Sequence, residues 1–302
     1  MISRFTPALQ AIILAFLAYA AFSLADAFAK NLVNSYGAPL CVTMTGCIAA
    51  SIQFIWIMVH RGWRGFKTRQ IKLHLFRGTA IAIMANLVVR ALQTLPLPDF
   101  YGIIFLIPFI VVLLSIIILK EPLKPYRLAV VAIAFAGVLV IAGPQFDTLS
   151  NGMLMTFLVV FVSSFNVFVM RRMGQHEYLP LYGFFPFFFI FLSGIPQVFP
   201  DLDRFADITL EDSGLFLLYS LTLIVGHTAI PLAFSRTPEM SLIAPMHYTQ
   251  MLWGILYGFF LFHQTPSPTT LLGGAMIISG GLYMIWRERH HVRHPRSKPA
   301  SH

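Results

Sequence analysis

Apolar residues in this chain fall in long, nearly unbroken runs, with little of the alternation that marks surface helices or strands. Ten such runs, each about 18 to 25 residues, cover 9–33, 38–59, 73–93, 98–119, 126–143, 151–171, 180–199, 214–235, 240–262 and 268–286. A helix of that length crosses roughly 30 Å of hydrocarbon. The pattern therefore predicts an all-α integral membrane protein with ten transmembrane helices. Most connections are short and carry Pro or Gly, as in "NSYGAP", "TLPLPD" and "HQTPSP", which keeps consecutive helices antiparallel neighbours. Two are longer: the basic "HRGWRGFKTRQIK" and the acidic "PDLDRFADITLEDSG", the second expected to lie along the outer face.

The second half of the chain repeats the first. At an offset of 143, Thr94 falls on Thr237, Lys120 on His263 and Gly137 on Gly280. The end of the first run, "AFAKNLVNSYGAP", resembles the end of the sixth, "VFVMRRMGQHEYLP", with Lys30 on Arg171 and Pro39 on Pro180. A repeat of five helices re-enters the membrane upside down, so the expectation is two inverted five-helix repeats, the pattern found in carriers. The first is 9–143 (TM1–TM5), the second 150–287 (TM6–TM10), and 288–302 forms a basic cytoplasmic tail.

Composition sharpens this. A hydrophobic fraction of 57%, 11% charged residues and a mean hydropathy of +0.76 exclude a soluble domain. The net charge of +9 raises the question of nucleic acid, but the basic residues answer it by position. Eighteen of the 21 Lys and Arg lie in alternate connections or at the ends, among them Arg4, the run from Arg61 to Arg77, Lys120, Lys124, Arg127, Arg171, Arg172, Arg236 and the tail. By the positive-inside rule these face the cytoplasm. Both termini are then inside, the partner is the lipid bilayer with no nucleic acid, and the location is a bacterial inner membrane. Lys30 and Arg90 escape this placement.

Ala18-Tyr19-Ala20 resembles a signal-peptide cleavage site, but the first run continues to Val33 and matches the sixth, so it reads as a helix. Cys41 and Cys47 share the second run with no metal-ligand spacing, and read as free thiols. Small residues (Ala134, Ala136, Gly137, Gly273, Gly274, Gly280 and Gly281) suit close helix packing. Pro108, Pro186, Pro196, Pro231 and Pro245 lie inside spans, where each removes a backbone donor.

The sequence R-G, then A-L-x-x-L-P-L, an apolar helix with Pro108, L-K-E-P-L, Arg127 and G-V-L-V-I-A-G-P resembles the EamA-type repeat of the drug/metabolite transporter (DMT) superfamily. "FSLADAFAKNLV" is similar to the first helix of members with an Asp and a Lys one turn apart. The resemblance covers about residues 9 to 286. It implies ten helices around a central cavity and alternating access, with cargoes ranging from amino acids and nucleosides to flavins, S-adenosylmethionine, sugars and metallophores. An Arg that such members often carry in the second helix is absent from "CVTMTGCIAA", and the second half has "FHQTP" where the first has "LKEP".

Ionisable residues inside a span are costly and mark pathways by default. Asp26 and Lys30, four apart on one helix face, are expected to pair within the bilayer. Arg90, four residues after Asn86, offers a bidentate anion-binding fork near the outer end of the third span. His227 and His247, with Gln250 one turn on, place titratable groups deeper, where an imidazole can carry a coupling proton. Tyr101, Tyr248, Trp253 and Tyr257 lie on the equivalent fourth and ninth spans and can stack a planar or cationic cargo. For each there is a plainer reading: a structural ion pair, a snorkelling cation, a packing histidine or aromatic. The substrate-binding candidates are thus Lys30, Arg90, Tyr101, His247, Gln250 and Trp253, with Asp26 and His227 as proton-coupling candidates. The histidines of "RERHHVRHPRSKPASH" read as part of a solvated anchor on anionic lipid.

These features favour a secondary transporter, monomeric or homodimeric, that exports a small carboxylate-bearing metabolite such as an amino acid or an amino-acid-derived chelator or metallophore. The alternative is an importer of a nucleoside-, flavin- or S-adenosylmethionine-like compound. A membrane transferase is a remote third, since there is no HExxH, no paired-Asp motif on the cytoplasmic side and no Gly-rich phosphate loop. No cofactor, metal or catalytic residue is expected.

Overall fold

The computed structural model describes residues 6–119, 125–142, 150–173, 177–236 and 246–293. Outside them lie the motif "KEPLK" at 120–124, most of the linker, the opening of the ninth span with Pro245, and the end of the tail. Among the described residues every regular element is helical. The helices are α1 (Pro7–Arg61), α2 (Ile71–Thr94), α3 (Leu97–Ile104), α4 (Ile107–Leu119), α5 (Pro125–Ala142), α6 (Asn151–Met173), α7 (Leu181–Val198), α8 (Leu210–Arg236), α9 (Thr249–Phe262) and α10 (Pro268–Arg293). Short 3-10 turns follow α1 (Gly62–Phe66) and α7 (Phe199–Asp207).

The chain is an all-α membrane protein. Among the described residues, four segments (Pro7–Phe66, Ile71–Thr94, Leu181–Val198 and Leu210–Arg236) are long and apolar enough to cross a bilayer. Large side chains such as Leu17, Ile55, Trp56, Phe161, Leu218 and Phe260 are exposed on the outside of the bundle.

Three spans differ in form from the sequence reading. The first two make one helical run bent at Gly37, whose φ of 78° and ψ of 163° interrupt it. Only glycine adopts that region cheaply, and Pro39 follows within the second arm. The fourth span is broken at Phe105–Leu106 into α3 and α4. The break follows from Pro108, which supplies no N–H to the carbonyl four residues before it.

Helix α1 packs on α7, α8 and α9, α2 on α6 and α7, α3 and α4 on α6, and α5 on α10. Glycines set the closest approaches. A Cβ on Gly46 would lie 2.7 Å from the Phe191 Cα, and one on Gly194 2.8 Å from the Thr43 Cα, so backbone meets backbone where α1 crosses α7. In α5, Gly137 lies against the Gly273 carbonyl of α10, 2.8 Å from such a Cβ. Without a hydrophobic driving force between helices in lipid, this intimate packing holds them together. Gly46→Val is expected to destabilise the protein by about 1–3 kcal/mol, the usual cost of overpacking. An unchanged unfolding temperature in detergent would mean that α1 and α7 do not meet there.

Candidate functional site

The inner stripe of α1's first arm carries Tyr19, Phe22, Ser23, Asp26 and Lys30, spaced by three and four residues so that all face one way. Between them they reach α2, α3, α8 and the start of α9. Tyr19 stacks on His247, just before α9, with ring centroids 4.9 Å apart and planes 14° apart. Phe22 meets the edge of His227 on α8 at 5.2 Å and lies against Gly226, where a Cβ would collide with its ring. The Ser23 hydroxyl donates to the Gln250 carbonyl at 3.4 Å. Asp26 accepts a hydrogen bond of 2.7 Å from the Tyr101 hydroxyl of α3. The stripe is therefore a seam at which α3, α8 and α9 converge on α1.

Around Asp26 the walls are aromatic. Tyr101 is buried, and its ring occupies the space beside Gly254 of α9 that any side chain there would fill. Trp253 stacks on Tyr257 with centroids 5.9 Å apart and tilts against Phe16 at 5.6 Å. The Trp253 indole N–H is buried with no acceptor. His247 also meets the edge of Phe105, and His227 that of Phe187. Such a wall, with one carboxylate at its centre, can hold an amine or a planar cation. Tyr101→Phe removes one charge-assisted bond worth about 1.5–3 kcal/mol. It should slow transport into proteoliposomes at least roughly tenfold; unaltered flux would take Tyr101 out of the site.

Lys30 does not pair with Asp26, contrary to the helical-spacing expectation. Its ammonium donates to the Leu92 and Leu95 carbonyls at the end of α2, at 2.8 and 2.6 Å. The reason is local. The residue four beyond Leu92 is Pro96, which has no N–H, and α2 ends at Thr94, so both carbonyls lack helical donors. The Lys30 ammonium supplies the donor both carbonyls lack, while the Asp26 carboxylate already accepts from Tyr101.

Arg90 is tied laterally. It donates to the Gln197 side chain of α7 at 2.6 Å, Gln197 donates to Asn86 at 2.7 Å, and Asn86 donates to Ser193 at 3.0 Å. This ladder joins α2 to α7, and neither Gln197 nor Ser193 stood out in the sequence.

Arg77, assigned by charge to a cytoplasmic loop, is instead buried within α2, 2% exposed. Its Nη1 donates to the Tyr182 carbonyl at 2.6 Å. The signal that could have found it was Pro186, four residues after Tyr182, which leaves that carbonyl without its helical donor. Among the described residues no group of three or more His, Cys, Asp or Glu is placed to hold a metal ion.

Residues 9–143 match the EamA-like transporter family. The S-adenosylmethionine uptake transporter of Rickettsia bellii is 22% identical over 245 residues, 80% of this chain and 81% of its own. The pseudopaline exporter CntI of Pseudomonas aeruginosa is 23% identical over 271 residues, 88% of this chain and 93% of its own. An uncharacterized transporter of Helicobacter pylori is 27% identical over 180 residues, 58% and 60% of the two chains. A solved crystal structure superposes on 94% of this chain and 98% of its own with a TM-score of 0.59 and 15% identity, a likeness of fold.

Proposed function

Through residues 9–143 this chain belongs to the EamA-like transporter family, and from that premise we propose that it is a secondary carrier exporting a small carboxylate-bearing metabolite, an amino acid or an amino-acid-derived chelator, by alternating access. The observation that carries the reading is the seam along α1, where a single carboxylate, Asp26, meets aromatic walls from both halves of the chain. Asp26 accepts the cargo's ammonium or a coupling proton. Lys30, at the end of the seam, and Arg90, on the ladder between α2 and α7, take the carboxylate when the outer face opens. His227 and His247 lie deeper on the same path and relay the proton, and Gln250 and Trp253 complete the wall. No covalent step is involved, so the protein is not an enzyme.

The two halves in this proposal are inverted repeats of five spans, 9–143 and 150–287, with both termini and the tail 288–302 in the cytoplasm of a bacterial inner membrane. The packing supports two related halves. Exchanging each span for its counterpart carries α2 on α6 into α1 on α8, and α3 and α4 on α6 into α9 on α1, while α5 on α10 stays in place. Two such halves give two mirror-related closures, one at each membrane face.

A second reading, import of an S-adenosylmethionine-like compound, is favoured by the stacked Trp253–Tyr257 pair, which suits a planar base, and by the Rickettsia relative. Proteoliposomes under an imposed proton gradient separate the two. Radiolabelled S-adenosylmethionine and a panel of amino acids are offered from each side in turn. Export predicts gradient-driven movement out of the cytoplasm-equivalent face, and import the reverse. If no carboxylate-bearing compound moves faster than through empty vesicles, the carrier reading with this cargo class fails.

A further inference from the structure

Arg77 is the buried charge that the seam does not use. It sits near the start of α2, below Gly78, where α2 lies so close to α7 that a Cβ would come within 2.7 Å of the Phe189 ring. Of its five N–H donors, Nη1 reaches the Tyr182 carbonyl, the guanidinium faces the Tyr182 ring at 5.6 Å, and Nε is buried with no acceptor. Its α2 neighbours repeat this state. His74, fully buried, bonds through Nε2 to Glu177 at 3.5 Å and leaves Nδ1 unpartnered. Gln70 donates to the Met173 carbonyl at 2.8 Å and leaves its side-chain oxygen unpartnered. Three of the buried side-chain polar atoms without partners among the described residues thus fall on Gln70, His74 and Arg77, from the N-cap of α2 through about its first two turns. Arg77 has no carboxylate at ion-pair distance among the described residues.

A guanidinium stripped of water and given one neutral acceptor is far from satisfied. The Tyr182 carbonyl explains the one bond: the residue four beyond it is Pro186, which has no N–H to give. It does not explain a full charge at that place, since an uncharged donor would serve a carbonyl as well. The remaining fork, planar and always protonated, matches a carboxylate.

We propose that Arg77 is a specificity-determining residue of the inner half-path: when the basic-loop face opens, its fork leaves the Tyr182 carbonyl and binds the carboxylate of the cargo. The inference rests on the carboxylate-cargo reading above. In this structure the face is closed, with Arg77 latched to α7 and Arg61 lying over Tyr178 at 3.9 Å. Arg77 is then the inner counterpart of Lys30, which also holds carbonyls left without helical donors, at the other end of α2. Both cations hold carbonyls in this structure, and each releases its own to take the anion when its face opens.

The test separates a latch from a binding residue through Pro186. Pro186→Ala gives the Tyr182 carbonyl its helical N–H, so Arg77→Gln/Pro186→Ala lacks the cation without leaving that carbonyl bare. Proteoliposomes are assayed with S-adenosylmethionine and with its decarboxylated analogue, which lacks only the carboxylate. Wild type and Arg77→Lys are expected to favour the carboxylate form, Arg77→Gln to lose that preference, and the double variant to regain wild-type thermal stability while still moving both compounds equally. A double variant that regains the preference overturns the proposal and leaves Arg77 a latch.

Should wild type show no preference, the cargo reading fails and a second arm decides on Arg77. In a Cys41→Ala/Cys47→Ala background, Arg77→Cys is treated with 2-sulfonatoethyl methanethiosulfonate from each face of sealed vesicles. Labelling from the basic-loop face alone places Arg77 on a path that opens there, as proposed. A thiol that labels from neither face, or from the opposite one, overturns it.

Discussion

Asp26→Asn is expected to slow gradient-driven transport roughly ten- to hundredfold while leaving the protein folded. Asparagine has the same shape and its amide oxygen can still accept from Tyr101, whose hydroxyl lies 2.7 Å from the carboxylate, so the packing of α1 on α3 survives. What goes is the negative charge. Asp26 is the only acidic residue within the first span, and a fixed neutral side chain can neither hold an ammonium nor exchange a proton. Hydrogen bonds to charged groups are worth about 1.5–3 kcal/mol, and each 1.4 kcal/mol is about tenfold, so initial rates should fall roughly ten- to hundredfold. Comparing accumulation with exchange at equal pH assigns the role. Loss of both marks Asp26 as the cargo's partner, and loss of accumulation alone marks it as the proton's. Accumulation at the wild-type rate in a monodisperse Asp26→Asn protein would remove Asp26 from the mechanism.

The second large effect is on stability. Lys30→Met keeps the length and apolar stem of the side chain but withdraws the donor from the Leu92 and Leu95 carbonyls. Each unsatisfied buried acceptor costs about 1–3 kcal/mol, which makes the loss roughly 2–5 kcal/mol, against about 5–15 kcal/mol for a typical folded protein. Thermal unfolding in detergent should show a clear drop, partly reversed in Lys30→Arg, whose fork reaches the same carbonyls. If Lys30→Met is as stable as wild type but transport fails, the ammonium serves the cargo and not the helix end.

The candidate site was half legible in the sequence. Asp26 stood out because a carboxylate in an otherwise apolar run has no cheap reason to be there, and Tyr101, Gln250 and Trp253 lie around it. Lys30 was equally conspicuous, yet its partner was not. Helical spacing offers Asp26 as a neighbour, while the carbonyls that hold Lys30 lie more than sixty residues away in sequence. Arg77 was misplaced for a related reason: charge counting puts every Arg near a span end into the loop, and only packing reveals that this one faces α7. Gln197 and Ser193, ordinary polar residues of the seventh span, acquire meaning only from the Asn86 and Arg90 side chains opposite them.

Composition and run length by themselves determined the membrane and the helical class, because backbone polar groups in hydrocarbon must be satisfied within the segment and an apolar run can do so only as a helix. The prolines likewise announced where carbonyls would be bare. Which groups fill those carbonyls was decided by the tertiary structure alone: Lys30 for the end of α2 and Arg77 for the start of α7. A bare carbonyl takes whichever donor is brought within about 3 Å, and that proximity arises from how α1, α2 and α7 cross at their glycines, a property of packed surfaces that no single helix carries in its sequence.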